Sequence, residues 1–175
     1  LNFDGTGYNV AVGYDAGVNV TTGINNTVIG GLAGDAINNG SQNVAVGKAS
    51  LTSATTASDN VGVGHGALSA LTTSTRNVAI GTQALNGAMN TNSTTYNVAV
   101  GYHAGNDVTT GIRNTIMGGL AGDALTTGSY NQALGYSALG TETGGSRSTA
   151  IGYLALGIQN VGSGEANNVA IGHSA

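Results

Sequence analysis

Several kinds of residue are missing or scarce in this chain, and each absence excludes a class of structure. The chain has no cysteine, so disulfides and thiolate metal sites are excluded, and it also lacks proline and tryptophan. Charged residues make up 7% of the chain, against about 25% in typical globular domains. Because mean hydropathy is slightly positive, at +0.07, this low charge does not indicate disorder. Stability must therefore come from packing and backbone hydrogen bonds.

Basic residues and long apolar runs are scarce as well. The only basic residues are Lys48, Arg76, Arg113 and Arg147, and the net charge is −4. Neutralising a row of phosphates needs more cations than this, so nucleic acid is not expected as a partner. No apolar run approaches the ~18 residues of a membrane span, so membrane insertion is not expected either.

A short motif, Asn-x-Ala-Val-Gly and its variants, recurs along the whole chain. Successive copies are 17 residues apart except for two spacings of 20, and their leading residues are Asn9, Asn26, Asn43, Asn60, Asn77, Asn97, Asn114, Asn131, Ser148 and Asn168. A fixed period is the signature of a solenoid. We predict an all-β fold: a parallel β-solenoid (β-roll) of about ten coils, each 17 residues long except two of 20. Both chain ends fall inside a repeat, with residues 1–8 as the tail of an earlier coil. This predicts that residues 1–175 are a single β-solenoid domain within a longer chain.

Positions within a coil are numbered here from the leading residue as position 0. Position 3 is a large aliphatic residue in all ten copies, and we predict that it faces the core. Position 2, mostly alanine, lies on the opposite face of the strand. Small residues permit close approach of another layer, so this face is predicted to meet a neighbouring subunit. Position 4 is always glycine, which predicts a corner, followed by a second short strand and a second glycine corner.

The asparagines at position 0 have a structural role in this prediction. Identical side chains on stacked parallel strands form hydrogen-bonded ladders, so the nine asparagines should form one, weakened locally by Ser148. The two longer coils carry extended returns at 86–96 and 157–167. Insertions in solenoids form loops on one face, so these returns are candidates for specific contacts.

The repeat also resembles known families. The pattern Asn-x-Ala-Val/Ile-Gly-x-x-Ala-Leu/Gly, with Thr-Thr-Gly starting eight residues after the first glycine, resembles the repeats of phage tail-fibre and tailspike-like proteins. The core pattern is also similar to the head repeats of trimeric autotransporter adhesins. The resemblance implies a left-handed β-roll, a homotrimer, and display outside the cell on a virion or cell surface. Because the repeated strand is apolar on both faces, we predict a structural shaft or adhesive segment of an extracellular trimeric fibre. A cell-surface glycan is a further candidate partner.

Catalytic chemistry is not expected from these residues. No carboxylate recurs beside His65, His103 or His173, and the eight acids are scattered, so neither catalytic residues nor an enzyme activity is predicted. The segment 30–35 and its copy 118–123 partly match a calcium-binding repeat, but the glycine spacing is wrong. No metal ligand, cofactor or cofactor-binding residue is therefore predicted.

Two binding functions remain as alternatives to the shaft. Position 5 carries Tyr14, Tyr102, Tyr136 and Tyr153, whose rings could stack on sugars, so these are candidate glycan contacts. Pairs of threonines recur at positions 12 and 13, which suggests an ice-binding surface. Adjacent residues of a regular strand point to opposite faces, so only one threonine of each pair should face outward.

Overall fold

The computed structural model describes residues 7–89 and 93–175. The predictions for residues 1–8 and for the return at 86–96 therefore lie partly outside the described residues. Within them there is no helix, and there are twelve short strands, β1 to β12: Val10–Val12, Thr27–Ile29, Val44–Val46, Val61–Val63, Val78–Ile80, Val98–Val100, Thr115–Met117, Gln132–Leu134, Gly145–Ser146, Thr149–Ile151, Gly164–Glu165 and Val169–Ile171.

Ten of these strands form one parallel sheet. Its order is β1-β2-β3-β4-β5-β6-β7-β8-β10-β12, so each strand pairs with the equivalent strand of the next coil. Equivalent residues lie directly above one another, as in the column of Val12, Ile29 and Val46. The prediction of an all-β parallel β-solenoid is confirmed, with about nine turns between the ten strands. At ~4.8 Å per step the sheet is about 43 Å long.

The second short strand predicted in every coil is absent from most of the described coils. A second strand occurs only as β9 and β11, which pair with each other near the end of two coils. The reason is the backbone at positions 6 and 8, which has a positive φ even where the residue is not glycine. Examples are Leu51 with φ 53° and Leu68 with φ 55°, both in the left-handed region. A left-handed residue cannot continue an extended strand. Coil-to-coil backbone hydrogen bonds nevertheless persist there, for example from Leu51 N–H to the Ala67 carbonyl at 3.0 Å.

The core lies on the small face of the strand, so the prediction that position 3 faces the interior is wrong. Ala79 and Ala99 at position 2 are fully buried, whereas Ile80 and Met117 at position 3 are 41% and 43% exposed. The rest of the core comes from the opposite wall of the coil, at positions 7, 8 and 11. The alanine face therefore does not meet a neighbouring subunit, and the large aliphatic residues point outward.

Packing across the coil explains why the strand carries small residues. Where position 8 is leucine, position 2 is alanine or glycine, in the pairs Leu51 with Ala45, Leu68 with Gly62, Leu85 with Ala79, Leu139 with Ala133 and Leu156 with Ala150. The large residues Val28 and Ile116 occur at position 2 only where position 8 is glycine. A Cβ added to Gly34 would lie 3.1 Å from Val28 Cγ1. The two walls are thus close enough for one large side chain per level, as the close packing of protein interiors requires.

The glycine at position 4 is required by a close approach between coils. Gly30 has φ +131°, and a Cβ there would lie 2.7 Å from the carbonyl carbon and oxygen of Gly47 in the next coil. The same contact recurs from coil to coil along the stack. Position 4 therefore cannot carry a side chain without separating two coils.

The asparagine at position 0 links each coil to itself and to its neighbours. Asn114 donates from Nδ2 to Asn97 Oδ1 at 3.1 Å and to the Gly128 carbonyl, at the end of its own coil, at 2.9 Å. Its Oδ1 accepts the backbone N–H of Asn131 at 2.9 Å. These side chains are buried, so their hydrogen bonds are shielded from competing water.

Ser148 breaks this column. Its backbone N–H still donates to Asn131 Oδ1 at 2.9 Å, but its hydroxyl oxygen is buried and has no hydrogen-bond partner among the described residues. A buried hydroxyl without a partner costs free energy.

Replacing the position-4 glycine should destabilise the solenoid strongly. We expect Gly30→Ala to lower the free energy of unfolding by about 2–4 kcal/mol, because it combines a disfavoured φ with a backbone clash. The matched control is the next residue, Gly31→Ala, whose Cβ would meet only the Tyr14 carbonyl oxygen at 4.0 Å. Thermal unfolding followed by circular dichroism gives the comparison. Equal midpoints for the two variants would contradict the close approach.

Restoring the ladder at its break should stabilise the chain. Ser148→Asn supplies a side chain that can donate to Asn131 Oδ1 and present its own oxygen to the following coil, so we expect a gain of roughly 1–2 kcal/mol in unfolding free energy. The reciprocal change, Asn114→Ser, should lower the free energy of unfolding by roughly 1–3 kcal/mol, because it leaves the Gly128 carbonyl and the Asn131 N–H without their hydrogen-bond partner. Chemical denaturation measures both. A destabilised Ser148→Asn variant would show that the serine is needed for another reason.

Candidate functional site

An apolar strip runs along the outer face of the ten-stranded sheet. It consists of positions 1 and 3 of each coil, which the strand directs away from the core. Its large exposed members include Val10, Val12, Ile29, Ile80, Met117, Val169 and Ile171. With a length of about 43 Å and a width of about 10 Å, the strip covers roughly 400 Å². A contiguous apolar patch of this size on a surface typically marks an interaction site.

The tyrosines predicted as glycan contacts all lie at position 5, but they do not form one row. Tyr136 and Tyr153 stack with ring centroids 5.6 Å apart, and His173 stacks on Tyr153 at 4.9 Å. Tyr14 and Tyr102 are exposed but are separated from these by other residues of the column. Stacking therefore covers both faces of the Tyr153 ring and one face of the Tyr136 ring.

A second aromatic column, which our sequence reading missed, lies at position −1, just before the leading asparagine. It alternates arginine and tyrosine over five coils: Arg76, Tyr96, Arg113, Tyr130 and Arg147. We call these five residues the Arg–Tyr ladder. The Cζ atom of each arginine lies within 5.4–5.9 Å of the centroid of a tyrosine ring in the ladder, which is cation–π distance. Tabulating position −1 would have revealed it, since three of the four basic residues occur there.

The backbone explains why the ladder is aligned and exposed. Every one of its five residues is in the left-handed region, with φ between 53° and 63°. This turns the side chain outward just before the buried asparagine, in the same direction in each coil. The ladder therefore borders the apolar strip, because positions −1 and 1 flank the same buried residue.

Both threonines of a pair point outward, so the prediction that they would face opposite sides is wrong. Thr21 and Thr22 are exposed, and so are Thr55 and Thr56. The pair occupies a bend rather than a strand, with the buried positions 11 and 14 on either side. The hydroxyls also bond from coil to coil, as when Thr22 Oγ1 donates to Asn39 Oδ1 at 2.9 Å.

Acidic and imidazole groups are dispersed over the surface. Among the residues that the structure describes, no group of three or more His, Asp or Glu side chains could hold a metal ion. Asp35, in the calcium-like segment, accepts a hydrogen bond from Thr52 Oγ1 at 2.5 Å. At the equivalent Asp123, burial and the nearby Asp107 carboxylate raise the pKa despite backbone hydrogen bonds. His65 and His173 are exposed at position 5, and His103 lies beside Tyr102.

One acid is built into the core. Glu142 occupies position 11, where most coils have an aliphatic residue, and it is fully buried. Its carboxylate accepts N–H groups from Gly144 at 3.2 Å, Gly145 at 2.7 Å and Val161 at 3.0 Å. Val161 belongs to the longer return at 157–167, so the carboxylate ties that return to the coil before it. The other face of the return is open, with Ile158 96% exposed.

The environment of Glu142 changes its acidity. Burial acts to raise the pKa of this carboxyl, but the N–H donors of Val161, Gly145 and Gly144 outweigh burial and hold the pKa below its ordinary value of 4.5. The carboxylate is therefore ionised near neutral pH and acts as a structural acceptor.

The chain has no helix in residues 7–89 and 93–175 that is long and apolar enough to cross a membrane. Comparison of the sequence and fold with protein-family models, curated proteins and solved structures finds no match in any of the three. The resemblance to tail-fibre and adhesin repeats thus rests on the motif alone.

Glu142 should make stability depend on pH in a defined window. Because its pKa is lower in the folded chain, it contributes stability above pH 4.5, and that contribution is lost as pH falls through the folded pKa. We expect Glu142→Gln to lower the free energy of unfolding by about 1–3 kcal/mol at pH 7, because an amide cannot accept hydrogen bonds from all three N–H groups. As pH falls below 4.5 and through the folded pKa, the difference between variant and wild type should shrink.

Denaturant unfolding between pH 3 and pH 7 measures this difference. The matched control is Glu165→Gln, an exposed carboxylate paired with Arg147, which should change stability little at any pH. A loss for Glu142→Gln that stays constant over the whole pH range would show that ionisation is irrelevant.

Proposed function

We propose that this chain is a structural shaft or adhesive segment of an extracellular trimeric fibre, displayed on a virion or cell surface and without catalytic activity. The observation that supports this proposal is the apolar strip on the outer face of the sheet. Such a surface is costly to leave in water over its whole length, so a partner that covers it is favoured.

The period of the strip favours another copy of this chain as that partner. The strip repeats at every coil, about 4.8 Å apart, and its polar interruptions are neutral residues such as Thr27, Thr115 and Gln132. A partner that contacts each coil equally must carry the same period. A second copy of the chain has it by construction, and repeated head-to-tail contacts close into a ring when the rotation allows.

We further propose that the fibre contains three chains and that each coil is left-handed. Three chains would place their strips around a common axis, with left-handed coils, as the motif resemblance implies. The asparagine ladder and the close glycine contacts hold successive coils of one chain in register, so the strip is aligned from coil to coil. A stack of about nine turns suits a load-bearing or presenting element.

The assembly can be tested by analytical ultracentrifugation. We expect wild-type protein at micromolar concentration to sediment with a mass near three times the 17.0 kDa of one chain. The double variant Ile80→Lys/Met117→Lys places two charges on the strip and should sediment as a monomer, because a buried unpaired ammonium costs several kcal/mol. Thr56→Lys/Thr110→Lys adds the same charge on the threonine face and should remain a trimer. A monomeric wild type, or equal effects of the two variants, would contradict the proposal.

A second candidate function is ice binding by the threonine face. The observation that favours it is the outward direction of both threonines, which are aligned from coil to coil in Thr55–Thr56 and its neighbours. The face is interrupted by Asn38–Asn39 and by Gly144, which weakens the match to a regular lattice. An ice-recrystallisation assay distinguishes the two functions, since the shaft proposal expects crystals to grow as in buffer.

A further inference from the structure

The Arg–Tyr ladder presents hydrogen-bond donors in a line parallel to the solenoid axis. Arg113 Nη1 donates to Tyr130 Oη at 2.6 Å, and Arg76 Nη1 donates to Tyr96 Oη at 3.3 Å. Each phenol oxygen is therefore used as an acceptor, which leaves its O–H free to donate outward. The rings lie between guanidinium groups, so their faces are covered and the exposed edge consists of N–H and O–H groups.

The charges along the ladder are compensated at its ends but not at its centre. Arg76 pairs with Asp59 at 3.6 Å, and Arg147 pairs with Glu165. Arg113 makes no ion pair with any residue that the structure describes, and its Cζ lies 5.9 Å from the Tyr96 ring centroid and 5.4 Å from that of Tyr130. The central guanidinium thus lies between two rings, and Arg113 is exposed, with a hydrogen bond from Nη1 to Tyr130.

Held in this way, Arg113 is suited to bind an anion. A guanidinium recognises a carboxylate or sulfate through two parallel N–H···O bonds, and an arginine that is already positioned loses less entropy on binding. The neighbouring Tyr96 and Tyr130 hydroxyls, one coil away on each side, add donors for neutral acceptors.

We propose that the Arg–Tyr ladder binds an extended acidic polysaccharide that runs parallel to the solenoid axis, with one of its carboxylate or sulfate groups on Arg113. Successive arginines are two coils apart, about 9.6 Å, which is comparable with the length of two sugar units in an extended chain. A polymer with one acidic group per disaccharide therefore places one group on Arg113 and the adjacent groups level with Arg76 and Arg147, which keep their ion pairs. Its hydroxyl groups match the tyrosines between the arginines.

The charge pattern argues against a nucleic acid on the same surface. A nucleic-acid strand carries a phosphate at every nucleotide, so its charges are more closely spaced than the arginines, which lie two coils apart. The ladder lies within one stack of coils, so this proposal does not depend on trimer formation.

Binding can be measured by isothermal titration calorimetry with oligomers of hyaluronan, which carries one carboxylate per disaccharide, at low ionic strength. We expect Arg113→Gln to weaken binding at least tenfold. Lys48→Gln removes the same charge from position 5, away from the ladder, and should change binding less than twofold. Arg113→Lys keeps the charge but loses the planar fork, so its affinity should fall between those of wild type and Arg113→Gln.

Four results would overturn the proposal. These are no binding of hyaluronan by the wild type, equal losses for Arg113→Gln and Lys48→Gln, equal binding of uncharged dextran, and equal or tighter binding of single-stranded DNA of the same charge. Sedimentation of each variant completes the experiment. A changed mass for Arg113→Gln alone would make the ladder a contact between subunits rather than a ligand site, whereas an unchanged mass with weaker binding supports the proposal.

Discussion

Hydrogen bonds from the asparagine at position 0, which is buried in every coil from Asn26 to Asn131, hold the solenoid together in two directions. Along the stack, the side chain of Asn114 joins the coils before and after it, and within its own coil it reaches the Gly128 carbonyl. The hydrogen bonds to neighbouring coils align the coils along the stack, and the hydrogen bond to Gly128 joins the start of a coil to its end. Because each coil makes few contacts with any but its neighbours, alignment at this position propagates to every other column.

The narrow interior follows from that alignment. With both walls held at a fixed separation, a leucine at position 8 leaves room only for alanine or glycine at position 2, and Val28 and Ile116 occur where position 8 is glycine. The large aliphatic residues of position 3 then have no space inside. They form an outer apolar strip, which is the feature that links the fold to the proposed fibre.

Two further surfaces arise from the same geometry with different chemistry. The threonine bend and the Arg–Tyr ladder each display one position of the repeat on the outside, so a side chain that recurs in the sequence becomes a row in space. Departures from the repeat have local partners: Glu142 replaces an aliphatic residue and receives the N–H groups of a longer return. Variation at a column thus changes surface chemistry without changing the coil.

The sequence by itself determined the parallel β-solenoid, because a period of 17 residues with an invariant glycine has a repeating strand as its simplest structure. It also located the asparagine column. It did not determine which strand face is inside, since alternation distinguishes two faces but does not identify what packs against each. Only the tertiary structure decided this, through the side chains of the opposite wall such as Leu51 and Leu68. It likewise decided that the Arg–Tyr ladder faces outward, because left-handed backbone at Arg113 and Tyr130, rather than strand alternation, sets their direction.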